Sequence, residues 1–265
     1  MPHRSGVWQE ALVAALGDLG YTPQAARRAI ARSVDARWLV GTRVGRRSWL
    51  ELSADARAML VDGAERIYGF GHPRKWDGRW LFAMLRVPEE RRDVRHRLRT
   101  GLAWAGFGSL GAGVWISPHV EREADIAELA EEEPDADLFT FRAEIGVVGE
   151  PARLLEQAWD LDQVAAEYRE FIERFGSLDP GEPAAIFCAQ TELVHGWRRF
   201  PFLDPELPDR FLPDDWPKAR AVELFEQRHR SWAESAQGYF SELVESVGPA
   251  ESPGAPASSS RTASK

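Results

Sequence analysis

The chain has 265 residues, 44% of them apolar and 11 of them Trp, enough for one large domain or two to three small ones with real cores. No apolar run reaches membrane-span length and the start MPHRSGVWQE lacks a signal-peptide core, so a cytoplasmic protein is expected. The net charge of −9 argues against nucleic acid at first sight, but residues 1–75 carry +5 and the rest −14, a basic N-terminal block on an acidic body. Residues 7–19 place Leu12, Ala15, Leu16 and Leu19 at helical spacing. After Gly20-Tyr21, Thr22 is a good N-cap and Pro23 suits the first helical position, so a second helix opens there. It is expected to reach about Trp38, with Ala26, Ala29, Ile30, Val34 and Trp38 inward and Gln24, Arg27, Arg28, Arg32 and Asp35 outward. Segments 39–44 and 48–52 flank Gly45-Arg46-Arg47 and read as a β-hairpin with a basic tip. Ser53-Ala54-Asp55 opens another helix, ending near Tyr68, and 69–76 is a linker with three breakers.

A second unit follows in the order βαββαβ. It comprises a strand over 79–87 and a helix over 88–105 with Val94, Leu98 and Leu102 inward. Short strands at 107–110 and 114–117, a helix over 122–133 and a strand over 138–148 complete it. That order is the ferredoxin-like arrangement. From Pro151 onward the pattern is helical, a proline-rich stretch over 200–217 interrupts it, and a last helix runs from about Lys218 to Val247. The low-complexity tail 248–265 is expected to be disordered. The fold class is therefore α+β: a winged helix-turn-helix over 1–70, a ferredoxin-like domain over 76–150 and a helical domain over 151–247.

The stretch GFGSLGAG at 106–113 contains the dinucleotide pattern G-x-G-x-x-G, which needs a strand before it and a helix after it. Here a helix precedes and the strand VWIS follows, so these glycines are read as turn and close-packing positions. No cofactor is implied. The six histidines, His3, His72, His96, His119, His195 and His229, are dispersed, with no pair at metal-ligand spacing. Cys188 lies in the apolar run AIFCAQT and reads as a buried structural thiol; being single, it excludes an intrachain disulfide. The chemistry lies in the arginines. A helix, a tight turn, a capped helix with Arg outward and a hairpin with an Arg tip are the parts of a winged helix-turn-helix. Its second helix reads base edges from the major groove. Gln24, Arg27, Arg28 and Arg32 would face the bases, while Arg43, Arg46 and Arg47 on the wing would meet phosphate or a minor groove. The bland alternative is a solvated arginine-rich surface.

Three long segments carry a family resemblance. WDGRWLFAMLRVPEERRDVRHRLRTGLAWAGFGSLGAGVWISPH resembles the central segment of the phenylacetic acid catabolon repressor, or PaaX-type, family. ELVHGWRRFPFLDPELPDRFLPDDWPKARAVELF resembles its C-terminal signature, and TPQAARRAIARSVDARWLVGTRVGRRSWLELSADARAML its winged-helix region. The resemblance covers about residues 7–245. It implies a bacterial transcriptional regulator, commonly a repressor of an aromatic-acid operon, acting as a homodimer on a palindromic double-stranded operator. It also implies release by an aryl-CoA thioester such as phenylacetyl-CoA, and a central domain similar to the small ferredoxin-like CRISPR-associated nucleases. Family members usually carry an extra helix before the segment matching Gly6-Val7-Trp8, so the N-terminal fold is expected to lack its first helix. The related nucleases hold metal with an acidic residue at the end of the first strand, where this chain has Arg86. A regulator without catalysis is therefore expected. The rivals are a metal-dependent nuclease of that type and a non-catalytic RNA-binding or scaffold protein using the arginines of 91–99. For an acyl-CoA effector, His195, Trp197, Arg198 and Arg199 offer cations beside an apolar wall.

Overall fold

The computed structural model describes residues 6–72, 75–134 and 136–248. The expected tail, apart from Gly248, lies outside the described residues. The architecture is α+β, with two small antiparallel sheets and ten α-helices among the described residues. The chain divides into two compact units, one of 1–66, 179–193 and 228–265, the other of 67–178 and 194–227. Three helices each contribute residues to both units.

The first unit begins with β1 (Gly6–Trp8) and α1 (Gln9–Asp18), then α2 (Pro23–Asp35), β2 (Leu39–Val44), β3 (Arg47–Leu52) and α3 (Ala54–Gly69). Its sheet order is β1-β3-β2. Val7 and Trp8 were expected in the first helix but are strand residues, paired with Leu50 and Trp49. The reason is the close approach to β3: a Cβ on Gly6 would fall 2.5 Å from Glu51 Cγ and from Trp49 Nε1, so only glycine lets this segment lie there. Trp8 then meets Trp49 edge to face at 5.2 Å, a geometry that aromatic quadrupoles favour. Ala11, Ala15, Ala26, Ile30, Trp49, Leu50 and Ala56 are buried with Trp8. Parts of two later helices also belong to this unit, α8 (Pro183–Trp197) and α10 (Lys218–Ser246). Tyr239 donates a 2.8 Å hydrogen bond to Asp18, and Cys188 donates from sulfur to the Asp18 carbonyl at 3.3 Å. Cys188 is half-buried rather than buried, and desolvation followed by the Asp18 charge pushes its pKa up, which keeps it a thiol.

The second unit holds β4 (Trp80–Arg86), α4 (Arg92–Trp104), β5 (Gly108–Gly111), β6 (Val114–Ser117), α5 (Glu123–Glu132) and β7 (Asp137–Ala143). The sheet order is β5-β6-β4-β7, with every pairing antiparallel. Alternation along β4 sends Leu81, Ala83 and Leu85 to the face covered by Val94, Leu98 and Leu102 of α4 and Ile126 of α5. Trp80 and Ile116 face the other way, onto Leu155 of α6 (Pro151–Ala158) and Leu207. The proline-rich stretch thus packs on the sheet: Phe211 lies 5.5 Å from Trp80 and Arg210 sits 4.3 Å over Trp76. Strand β7 ends at Ala143, not at 148, because Ala143 pairs with Trp80, the first residue of β4, and no partner extends beyond it. Val147 and Val148 are fully exposed.

The glycines of 106–113 act as expected between the two strands. Gly111, Ala112 and Gly113 all have φ between +49° and +83°, the left-handed region that favours glycine. A Cβ on Gly113 would meet the Leu85 carbonyl oxygen at 2.3 Å, so the turn packs directly on the end of β4. Helix α7 (Leu161–Gly176), the end of α8, α9 (Phe200–Leu203) and the start of α10 enclose an aromatic cluster. Trp197 stacks on Phe225 at 4.5 Å, and Tyr168 on Phe200 at 4.2 Å. Tyr168 donates a 2.6 Å hydrogen bond to buried Asp204, which also pairs with Lys218 at 3.3 Å. Burial and that carboxylate raise the Tyr168 pKa, so the phenol stays protonated and the donor role is secure.

Candidate nucleic-acid interface

Thr22 caps α2 as expected, its Oγ1 accepting from the Ala25 amide at 3.2 Å, with Pro23 at the first helical position. Ala26 and Ile30 turn inward, and Gln24, Arg27, Arg28 and Arg32 lie on the opposite, exposed face. The i, i+3, i+4 spacing puts these four on one stripe. None of the three arginines has a hydrogen-bond or ion-pair partner among the described residues. The first turn of α2 carries no acidic side chain. A row of solvated guanidinium groups beside a positive helix terminus is a site for anions.

The helix stops at Asp35, three residues before the expected end. Arg37 takes φ +61° and turns the chain into β2. Trp38 consequently leaves the inner stripe and is 48% exposed. Tyr21, 57% exposed, flanks the other end of α2. Sequence reasoning missed both aromatics. Trp38 sits four residues after Val34, which is helical spacing, and only the reversal at Arg37 takes it out of register.

The hairpin turns on two residues, Gly45 and Arg46, with Val44 paired to Arg47. Gly45 has φ +61°, as such tight connections require. Arg46 is exposed at the tip, and Arg43 Nε donates to the Gly45 carbonyl at 3.2 Å, which holds its guanidinium by the turn. Arg47, expected at the tip, is instead the first residue of β3. Its guanidinium lies 4.1 Å over the Trp8 ring and 3.5 Å from Glu10. Cation–π stacking and an ion pair give Arg47 a structural role, leaving six of the seven expected contact residues open to solvent.

The residues expected to meet an effector are not gathered into a cavity. Trp197 is 1% exposed, ringed by Phe70, Phe171, Phe200 and Phe225, and its Nε1 donates to the Ile67 carbonyl at 3.2 Å. Arg199 pairs with Glu167. His195 and Arg198 are exposed. Among the described residues, no three His, Cys, Asp or Glu side chains gather where they could hold a metal ion, and Arg86 stands at the end of β4. No described helix is long and apolar enough to cross a membrane.

Three family models match successive parts of the chain. They are the PaaX-like protein over residues 1–56, the PaaX protein central Cas2-like domain over 73–155 and the PaaX-like protein C-terminal domain over 159–242. The transcriptional repressor PaaX of Escherichia coli (strain K12) is 32% identical over 268 residues, covering 96% of this chain and 84% of that relative. The chain belongs to the PaaX family. The uncharacterized protein Rv0674 from Mycobacterium tuberculosis shares the fold: 24% identity, TM-score 0.58, 89% of this chain and 92% of that one covered. The first two matched segments contain the α2 stripe and both sheets, while most of α3 falls between them.

Proposed function

We propose that this PaaX family member is a DNA-binding transcriptional repressor of a phenylacetate-type catabolic operon, a regulator and not an enzyme. The observation that carries the reading is the similarity, over nearly the whole chain, to a relative named as a transcriptional repressor. The unpartnered arginine stripe of α2 supports it, because a solvated row of guanidinium groups without carboxylates favours polyanions. In this reading α1, the turn at Gly20 and α2 are a helix-turn-helix, and β2–β3 is its wing. Gln24, Arg27, Arg28 and Arg32 reach base edges, where Arg suits guanine and Gln adenine. Arg43 and Arg46 meet the phosphates.

The functional parts are a winged helix over 1–70, a ferredoxin-like domain over 76–150 and a helical domain over 151–247. The strand order β5-β6-β4-β7 supports the second of these. The protein acts in the cytoplasm as a homodimer, its two reading heads set to a palindromic operator. An acyl-CoA effector, phenylacetyl-CoA or similar, prefers the dimer geometry in which the heads no longer match their half-sites. Of the stretch first considered for that effector, His195 and Arg198 remain open to a ligand, while Trp197 and Arg199 are engaged elsewhere.

The test is binding of the purified chain to the duplex upstream of its own gene and to a scrambled duplex at several salt concentrations, with and without phenylacetyl-CoA. Tight, salt-dependent binding to the first duplex, relieved by the thioester, is expected. Equal binding to both duplexes would overturn the repressor reading, and binding indifferent to the thioester would overturn the effector.

A further inference from the structure

A larger and a smaller cavity of the second unit differ in charge. The larger, about 910 Å³, is lined by Asp77, Glu121, Asp204, Glu206, Asp209 and Asp214 against Lys75, Arg210 and Lys218. Such a lining repels a polyphosphate. The smaller, about 340 Å³, lies where the 111–113 turn meets the end of β4 and the face of α4. Arg86, Arg95 and Arg99 converge on it, Ser109 contributes a hydroxyl, and no described residue lining it is acidic. Arg95 is held in place by the Pro88 carbonyl at 3.3 Å and Glu89 at 3.2 Å. Arg86 and Arg99 have no hydrogen-bond or ion-pair partner among the described residues. The two unpaired cations around one concave space repel one another until an anion enters.

The geometry points to this pocket as a site for the phosphate end of an organic, nucleotide-type ligand, with Arg86 and Arg99 as its free donors. A guanidinium matches a phosphate in a forked, two-point contact. The volume falls within the roughly 300–1,000 Å³ range of organic-ligand sites, and a bare phosphate ion would leave most of it empty. Leu85, Val87 and Trp115 supply an apolar wall for the remainder of the ligand. The choice of ligand rests on the effector part of the proposed function: a CoA thioester carries phosphates at its nucleotide end. It places that end away from His195–Arg199, none of which lines this pocket.

Calorimetry on the full chain with coenzyme A tests the inference. Binding is expected, with roughly tenfold or greater loss for Arg86→Gln and for Arg99→Gln, as charge-assisted hydrogen bonds imply. Removing the 3′-phosphate from the ligand should weaken binding, and Arg92→Ala, an exposed arginine outside the pocket lining, should leave it unchanged. All are surface substitutions, and thermal melts of each variant check the fold. No binding of coenzyme A, or wild-type affinity in the Arg86→Gln/Arg99→Gln double variant, would overturn the proposal. The same double variant is then measured on the operator duplex without coenzyme A, where unchanged affinity is expected. Equal weakening on every duplex would mean that these arginines hold DNA backbone, which also overturns it. Failure of the pocket with operator binding intact sinks this inference alone. Loss of duplex binding by the wild-type chain sinks the repressor reading and leaves the coenzyme A result standing.

Discussion

Helices α2 and α4 both carry arginines, and they use them differently. On α4 and its approach, Arg91 lies 3.9 Å from Asp93, Arg92 4.0 Å and Arg95 3.2 Å from Glu89, and Arg97 pairs with both Asp93 and Glu133. Hydrogen bonds from Arg97 hold the Glu133 carboxyl below its usual range. The Val94 amide, ahead of Arg97, does the same for Asp93. On α2, Arg27, Arg28 and Arg32 face solvent with no such partners. Counting arginines would rank α4 as the more basic element. What a polyanion meets is the charge left after local pairing, and by that measure α2 is the basic face. Arg99 is the exception on α4, and it points into the small pocket instead.

The contrast can be broken outright by removing the frame under α2. Trp49→Ala empties a site that is 1% exposed and deletes the edge contact with Trp8. Urea unfolding should show a loss of about 3–5 kcal/mol, with operator binding lost at the same time. Less drastic is Arg28→Ala, which should cost about 1–3 kcal/mol at one operator position and relax the base preference there. Binding to point-mutated operators reads this directly, and intact discrimination would remove α2 from the recognition role. Arg46→Ala should keep discrimination, weaken all duplexes alike and lower the salt slope by roughly one unit. Arg97→Ala is the matched control from α4: duplex affinity measured across the same salt series should not change.

The smallest expected effect is on pH dependence. The carboxyls of Asp93 and Glu133 titrate below their ordinary values of 3.8 and 4.5. The hydrogen bonds that lower them, from the Val94 amide and Arg97 to Asp93 and from Arg97 to Glu133, therefore contribute stability above those values and lose it as pH falls through the lowered ones. Asp93→Asn should melt slightly below the wild type at neutral pH, and the difference should vanish in acid. Asp93 is solvent-exposed, so its contribution is small. A difference that grew in acid would mean that the pairs on α4 are not what neutralises its arginines.

Much of this molecule is legible in the sequence, because local rules decide it. The Thr22-Pro23 cap, the inward Val94, Leu98 and Leu102, the outward Gln24, Arg27, Arg28 and Arg32, and the βαββαβ order all follow from side-chain periodicity and capping chemistry. The failures fall where a distant partner decides. Val7-Trp8 is compatible with a helix until β3 offers it a pairing edge, and 144–148 looks like strand until β4 runs out of residues to pair with. Trp38 keeps helical spacing and yet is exposed, since the chain reverses at Arg37. Arg47 reads as a wing-tip cation but is one residue past the turn, against Trp8 and Glu10. Trp197 reads as a ligand wall but fills a core assembled from α7, α9 and α10. The sequence by itself determined which residues bear charge and which helix faces are apolar, because these depend on near neighbours along the chain. Tertiary structure alone decided which charges remain unpaired and which aromatics are buried, because ion pairs and cores form between residues far apart in sequence.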